Sequence, residues 1–398
     1  MLAFVFLPLI LAILIFIYLR SRKYIFLNKS IATKVVEIIF GLLLFGGLLC
    51  VLIGFLLPNG FVLKRQFTKA GYYWFGLILY FFVSLIIALI CRLIIWLFTR
   101  NNGYNVDLAR KLTAFFVIIF TTIMSVYGIE NAHKLRVTNY EVNVDKVSKL
   151  DELNIALVAD LHLGYNVGVE EIKDMVDKVN DMNPDILIVA GDIFDNEYDA
   201  IDNPTEIIKL LNSIKTKYGK YATYGNHDIE EKILMGFTFN VSKNTKAKAQ
   251  ADERMNKFVK DAGFTFLYDN YELIDDDIYI YGRPDANKIN FGKETRVPAL
   301  KVTDGLDKTK TIICVNHEPD ELQELAAAGV DLDLSGHTHN GQIWPGTLTI
   351  NLFWDNAYGL KQINNMSSIV TSGVGLFGLN MRTGCHPEVV NIKLQFKK

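Results

Sequence analysis

The chain has 398 residues, 51% of them hydrophobic, and a formal net charge of −2. A charge this close to zero gives no general affinity for polyanions, so nucleic acid is not an expected partner. Four cysteines without a CxxC spacing form neither a disulfide framework nor a cysteine-rich zinc site.

The mean hydropathy of +0.22 is high for a soluble chain, and the excess is concentrated at the N-terminus. Residues 1–130 hold four long apolar runs, at about 2–19, 35–57, 72–98 and 112–128. Each approaches the roughly 17–25 residues of a membrane-crossing helix, so this region is expected to be a transmembrane domain of four helices. No basic residue precedes the first run and no small-residue cleavage site follows it. It therefore reads as a retained anchor rather than a signal peptide. The first loop carries Arg20, Arg22, Lys23, Lys29 and Lys34, the second Lys64, Arg65 and Lys69, and the third Arg100, Arg110 and Lys111, with Arg92 near its end of the span. The positive-inside rule places loops one and three in the cytoplasm. A multi-pass protein of the cell membrane follows, with everything after Gly128 extracytoplasmic.

Residues 131–150 read as a linker and first strand, with Tyr140, Val142 and Val144 alternating. Residues 151–398 have an ordinary globular composition. A short strand at 154–159 runs into Asp160. The spacing of Val169, Ile172, Met175, Val176 and Val179 predicts a helix over 168–182, and a second strand over 185–190 ends in Gly191-Asp192. A helix near 205–217 leads to a strand at 220–224. Residues 229–262 break the rhythm, either as a surface insertion or as a lid that offers Ile233, Leu234, Met235, Phe237 and Phe239. A hairpin is expected over 268–281, and strands near 311–315, 330–334, 369–371 and 389–394. Strands alternate with helices first and with other strands later, which suits an α/β fold of two packed mixed sheets covered by helices.

Only seven histidines occur, and five of them sit in short polar stretches that follow apolar, β-branched runs. In order these stretches hold Asp160-Leu-His162, Gly191-Asp192-Ile-Phe-Asp195, Gly225-Asn226-His227-Asp228, His317, and Gly336-His337-Thr-His339. Side chains at i and i+2 of an extended segment share a face, so His337 and His339 can converge on one point. Imidazole, carboxylate and amide oxygen without thiolate suit Mn, Zn or Fe. His133 reads as a solvated interfacial residue, and His386 has no metal partner in sequence. Arg283 and Arg382 are candidates for binding a substrate phosphate, with surface ion pairs as the alternative.

These five stretches resemble the calcineurin-like metallophosphoesterases, whose motifs read D-x-H, G-D-x-x-D, G-N-H-D/E, H and G-H-x-H. The resemblance covers roughly 150–395. The run ending in His337-Thr-His339-Asn-Gly-Gln-Ile-Trp-Pro345 is similar to a membrane-associated bacterial branch that includes phosphodiesterases and UDP-diacylglucosamine hydrolases, though Asn340 stands where that branch more often has glycine. The resemblance implies a four-layer α/β/β/α sandwich and two divalent ions. It assigns Asp160, His162, Asp192 and His339 to one ion. Asp192, Asn226, His317 and His337 go to the other, with Asp192 bridging. It makes His227 the phosphate-facing histidine and Asp195 the carboxylate that orients it. The implied activity is hydrolysis of a phosphodiester or pyrophosphate bond by a metal-activated water, on a lipid-linked or membrane-surface phosphoester, with the bilayer as the other partner. The alternatives are a phosphatase acting on a soluble nucleotide or monoester, and a non-catalytic membrane sensor or scaffold that reuses the domain.

Overall fold

A computed structural model describes residues 2–26, 30–101, 103–234, 237–239, 252–288 and 295–398. Met235 of the insertion lies outside the described residues. The chain divides into two compact units, one of residues 1–130, 233–239 and 378–381, the other of residues 131–232, 240–377 and 382–398.

The first unit is built on four helices: α1 (Leu2–Tyr24), α2 (Ile31–Leu56), α3 (Val62–Thr99) and α4 (Val106–Ala132). Their shared core holds Leu14 and Ile17 from α1, Leu44 and Leu48 from α2, Ile78, Phe81 and Leu85 from α3, and Val117 from α4. A hydrogen bond between the Ser84 and Thr121 hydroxyls, 3.1 Å apart, ties α3 to α4 inside it. Such small polar pairs fasten helices where lipid provides no hydrophobic drive. The expectation of four spans is corrected to three: α2, α3 and α4 are long and apolar enough to cross a membrane among the described residues. α1 ends with Arg20, Arg22 and Lys23 in its last turns. α3 also begins ten residues earlier than the apolar run that announced it. Lys64, Arg65 and Lys69 are therefore helical rather than in a loop, because nothing after Pro58-Asn59-Gly60 interrupts a helix.

The second unit contains two six-stranded mixed sheets. In chain order its elements are β1 (Arg136–Val147), β2 (Glu152–Val158), α5 (Val169–Met182), β3 (Ile186–Ala190), α6 (Pro204–Asn212) and β4 (Lys220–Thr223). After the short pair β5 (Lys232–Leu234) and β6 (Phe237–Phe239), nearly all of which belongs to the first unit, come α7 (Glu253–Asp261), β7 (Thr265–Phe266), β8 (Asn270–Ile274), β9 (Ile278–Gly282) and β10 (Thr311–Val315). The chain ends with α8 (Leu322–Ala328), β11 (Leu332–Ser335), β12 (Gly359–Ile363), β13 (Met366–Val370) and β14 (Glu388–Lys397). One sheet has the order β1-β14-β2-β3-β4-β7 and the other β12-β13-β11-β10-β9-β8.

Strand alternation explains the layers. Leu153, Ile155 and Leu157 of β2 and Ile186 and Ile188 of β3 share one buried cluster with Ile280 of β9, Ile313 of β10 and Leu334 of β11. This is the seam between the sheets. The intervening residues, Ala156, Val158, Leu187 and Val189, face the opposite way onto Ile172 and Val176 of α5, Ile207 of α6 and Phe258 of α7. Ile312 and Cys314 likewise pack on Leu322 and Leu325 of α8. Strands covered on both faces read as continuous apolar runs, which is how β3 and β10 appear in the sequence. Lys220 fastens the helical layer: its Nζ donates to the carbonyls of Leu211 at 2.9 Å and Ala262 at 2.8 Å, groups that the ends of α6 and α7 leave without intrahelical partners.

Candidate metal centre

The carboxyl ends of five strands supply every residue of the five polar stretches. Asp160 and His162 follow β2, Asp192 and Asp195 follow β3, and Asn226 and His227 follow β4. His317 follows β10, and His337 and His339 follow β11. Two sheets packed face to face thus direct their loops toward one place. The turns are tight: Asp160, His162, Asp192, His337 and His339 all have positive φ, from 46° to 69°. Each such residue costs on the order of 1 kcal/mol, and clusters of them occur where a site holds them. Gly225 is required by the same crowding, because a Cβ there would lie 2.3 Å from Asp192 Oδ1 and 2.6 Å from His317 Cδ2.

The structure brings the nine sequence-predicted residues together. His162 Nε2 lies 3.1 Å from His339 Nε2, and Asp160 Oδ1 is 3.6 Å from the latter. On the other side, His317 Nε2 is 3.1 Å from Asn226 Oδ1. His337 Nδ1 is 3.0 Å from that same oxygen and 3.2 Å from His317 Nε2. Asp192 stands between the two sets, with Oδ2 3.1 Å from His317 Nε2 and 3.8 Å from His162 Nε2. The ligand atoms of Asp160, His162 and His339 fall within 4.8 Å of one another, as do those of Asp192, His317 and His337, and those of His162, Asp195 and His227.

These donors fit divalent cations on two grounds beyond residue type. Burial, aided by neighbouring positive charge, pushes His337 down to about 3 and holds His339 well below the ordinary imidazole range. Both rings therefore stay neutral and keep lone pairs to offer. Burial opposes charge on Asp192 and His317 alike, yet their mutual attraction outweighs it, holding the carboxyl well below its usual range and the imidazole well above. The protein side chains alone thus draw a positive charge to the point where a cation would sit.

Several contacts were not legible in the sequence. His227 Nδ1 is held by Asn196 Oδ1, whereas Asp195 Oδ1 is 3.8 Å from that nitrogen and 3.5 Å from His162 Nδ1. Asp228, raised to about 8 by burial and the nearby Asp192 charge, accepts from the backbone N–H of Phe194 at 2.8 Å and of Gly225 at 2.7 Å, bracing one ligand loop against the next. Phe377 places its ring centroid 5.4 Å from that of His227 and 6.1 Å from that of His162, and Trp354 lies edge-on to His337 at 5.3 Å. Both arginines are fully buried. Arg283 pairs with Glu321 at 2.7 Å. Arg382 donates to the carbonyls of Ser372 at 2.8 Å and Gly375 at 2.6 Å, and its Nη2 is 3.2 Å from His339 Nδ1. Neither is a surface ion pair. Asn131 holds the turn that carries Arg382, donating to its carbonyl at 3.0 Å and to that of Cys385 at 2.8 Å.

Residues 153–341, the segment that contains all of these ligands, match the family described as calcineurin-like phosphoesterase. Over that segment the chain is similar to the calcineurin-like phosphoesterases. It is 28% identical over 292 residues to a zebrafish (Danio rerio) protein described as a transmembrane protein with metallophosphoesterase domain. That alignment covers 70% of this chain and 62% of the relative, so the chain spans less than two thirds of its length. Metallophosphoesterases of Campylobacter jejuni and Aquifex aeolicus are 27% and 28% identical, over 80% and 70% of this chain and 76% and 99% of theirs. A metallophosphoesterase domain and membrane helices thus stand together in the description of the zebrafish relative, as a matching segment and long apolar helices do in this chain. The particular bacterial branch suggested by Asn316–Pro345 is not among these findings.

Proposed function

We propose that the chain is a membrane-anchored, dinuclear-metal phosphoesterase that hydrolyses a phosphodiester or pyrophosphate bond in a lipid-linked or membrane-surface substrate. The observation that carries this reading is the position of Asp192 between two ligand sets, 3.1 Å from His317 and 3.8 Å from His162. Asp160, His162 and His339 would hold one ion and Asn226, His317 and His337 the other, with Asp192 shared. Bound there, the ions would supply charge neutralisation for the phosphoryl group and lower the pKa of water.

The remaining roles fall to the chain itself. His227 keeps Nε2 available to a substrate oxygen while Asn196 holds Nδ1, which suits a group that stabilises or protonates a leaving oxygen. Asp195, which the resemblance makes the carboxylate that orients His227, lies 3.5 Å from His162 Nδ1 and 3.8 Å from His227 Nδ1 and would support both rings. Such supporting contacts set ligand geometry. Phe377 and Trp354 place apolar faces against the histidines and limit water around them.

One observation favours a membrane-surface substrate over a soluble one: among the described residues three helices are long and apolar enough to cross a membrane, where one would serve as a tether. A screen of the detergent-solubilised full-length protein with added Mn, using a small chromogenic diester, a nucleotide monoester, a nucleotide pyrophosphate and lipid phosphoesters in vesicles, tests the reading. Preference for a vesicle-borne diester or pyrophosphate supports it. Preference for a soluble monoester replaces it with the phosphatase alternative, and no hydrolysis of any class supports the scaffold.

A further inference from the structure

Within the helical unit, the end of α3 and the start of α4 line a half-open cavity of about 400 Å³. Its walls are mainly apolar, with Ala88, Leu112 and Phe116 among them, and Arg92 and Tyr104 supply its polar corner. The Arg92 guanidinium sits over the Tyr24 ring, 4.7 Å from its centroid. Its Nη1 is nevertheless buried without a hydrogen-bond partner, and the Tyr104 hydroxyl is in the same condition. The other polar groups lining the cavity are already engaged: Thr99 and Thr113 donate to Ile95 and Ala109 carbonyls, and Asn105 accepts from Leu108 N–H. Among the described residues, no carboxylate lies within ion-pair distance of Arg92.

Arg92 Nη1 can only donate and carries a fixed positive charge, and the Tyr104 hydroxyl can donate beside it, so an anionic oxygen acceptor satisfies both. A buried donor without an acceptor costs on the order of 1–3 kcal/mol, more for a charged one. Arg92 lies about two turns before the end of α3, within headgroup reach for a long side chain. This end of the bundle also carries Arg20, Arg22, Lys23, Arg100, Arg110 and Lys111. Basic pockets between helices on the cytoplasmic side are where anionic headgroups bind.

We propose that this cavity receives the headgroup end of one anionic phospholipid, with a phosphate oxygen on Arg92 Nη1 and the Tyr104 hydroxyl, the first acyl carbons along Ala88, Leu112 and Phe116, and the rest of the chains in the surrounding bilayer. The site is distinct from the metal centre, and the lipid is a bound component rather than a substrate. The cavity's volume falls in the range of specific small-molecule pockets, about 300–1,000 Å³, and its polarity is confined to one corner, as an amphiphile requires.

Native mass spectrometry of the full-length protein in mild detergent tests this, with phosphatidylglycerol, phosphatidylcholine and inorganic phosphate as probes. One phosphatidylglycerol per chain should survive activation that strips phosphatidylcholine. The combined Arg92→Gln and Tyr104→Phe variant should lower that retention about tenfold or more, as loss of a charge-assisted hydrogen bond implies. Leu112→Trp fills the cavity without touching either donor, and it should lower retention as well, so the test stands if the double variant does not fold. Hydrolysis of a small diester should be unchanged in Leu112→Trp. Equal retention of the two lipids, which marks an unspecific lipid belt, overturns the proposal. So does wild-type retention in either variant, or displacement of the lipid by inorganic phosphate.

Discussion

His162 and His339 face each other through their Nε2 atoms at 3.1 Å, although they lie on loops from different sheets. Two buried imidazole nitrogens at that separation can share a proton or a cation. The second choice leaves both rings neutral, which is the state that burial imposes on His339. Removing bound metal with a chelator is therefore expected to abolish hydrolysis and to lower the thermal midpoint. Ligand linkage gives a loss of about 3 kcal/mol when metal had been present at roughly a hundred times its Kd. Recovery of both properties on adding Mn or Zn is the expected result of scanning calorimetry and a diester assay run in parallel. An unchanged midpoint after complete metal removal would sink the assignment.

Asp192→Asn should reduce turnover of bis(p-nitrophenyl) phosphate by about a hundredfold or more, since both ligand sets lose their shared anion. The fold should survive, because the amide oxygen can still accept the 2.8 Å hydrogen bond from His227 N–H. Metal analysis of the purified variant should show at least one ion lost per chain. Near-wild-type turnover with full metal content contradicts the bridging role.

His227→Ala should behave differently. It is expected to lower turnover by about 10²–10⁴-fold, the usual worth of a general acid or base, while metal content stays at the wild-type level. Asn196→Ala should produce a smaller loss of the same kind, since Asn196 holds the His227 ring at Nδ1. Loss of both ions in His227→Ala would move that residue from the substrate side to the metal side.

Away from the site, burial raises the Asp333 carboxyl to about 7. Its Oδ2 accepts from Ser335 and Ser368 at 3.0 and 3.1 Å, but Oδ1 has no partner. A carboxyl whose folded pKa is raised favours the folded state most below its unfolded value near 4. That contribution is lost as pH rises through about 7. Wild-type stability relative to Asp333→Asn is therefore expected to fall between pH 4 and 7 by a few kcal/mol at most, at about 1.4 kcal/mol per pKa unit. Denaturant titrations of both proteins across that range check it. A pH-independent difference rules out the carboxyl as its source.

How much was legible in the sequence depended on distance along the chain. The strands β2, β3, β4, β10 and β11 were readable because each is a short apolar run that stops at a polar turn. The ligand types at those turns were readable because histidine is rare in this chain. Asn196 was not, since a lone Asn beside a turn residue is commonplace, and Asp228, though it stands in the third polar stretch, showed nothing of its contacts because its partners include a loop distant in sequence. Arg382 was readable as a candidate phosphate ligand or a surface ion pair, but not as a buried group. Its burial among backbone carbonyls depends on the turn at 382–386 folding back toward His339.

The last prediction concerns which side of the membrane carries the metal centre. Arg20, Arg22, Lys23 and Lys34 precede α2, and Arg100 lies between α3 and α4, with Arg110 and Lys111 opening α4. These clusters fall at the same end of the helical bundle whether or not α1 crosses, because α2 and α3 form a hairpin between them. Retained in the cytoplasm, they place the far end of α4, and the chain that follows Asn131, outside. The basic residues of the opposite loop, Lys64, Arg65 and Lys69, lie within the first two turns of α3 and weaken the asymmetry without reversing it. Protease added to intact spheroplasts should therefore release a fragment of the phosphoesterase domain, detected with an antibody to the C-terminus. A cytoplasmic marker protein should remain intact in the same sample. Complete protection until the membrane is permeabilised would put the domain in the cytoplasm and reverse the assignment of both ends of the bundle.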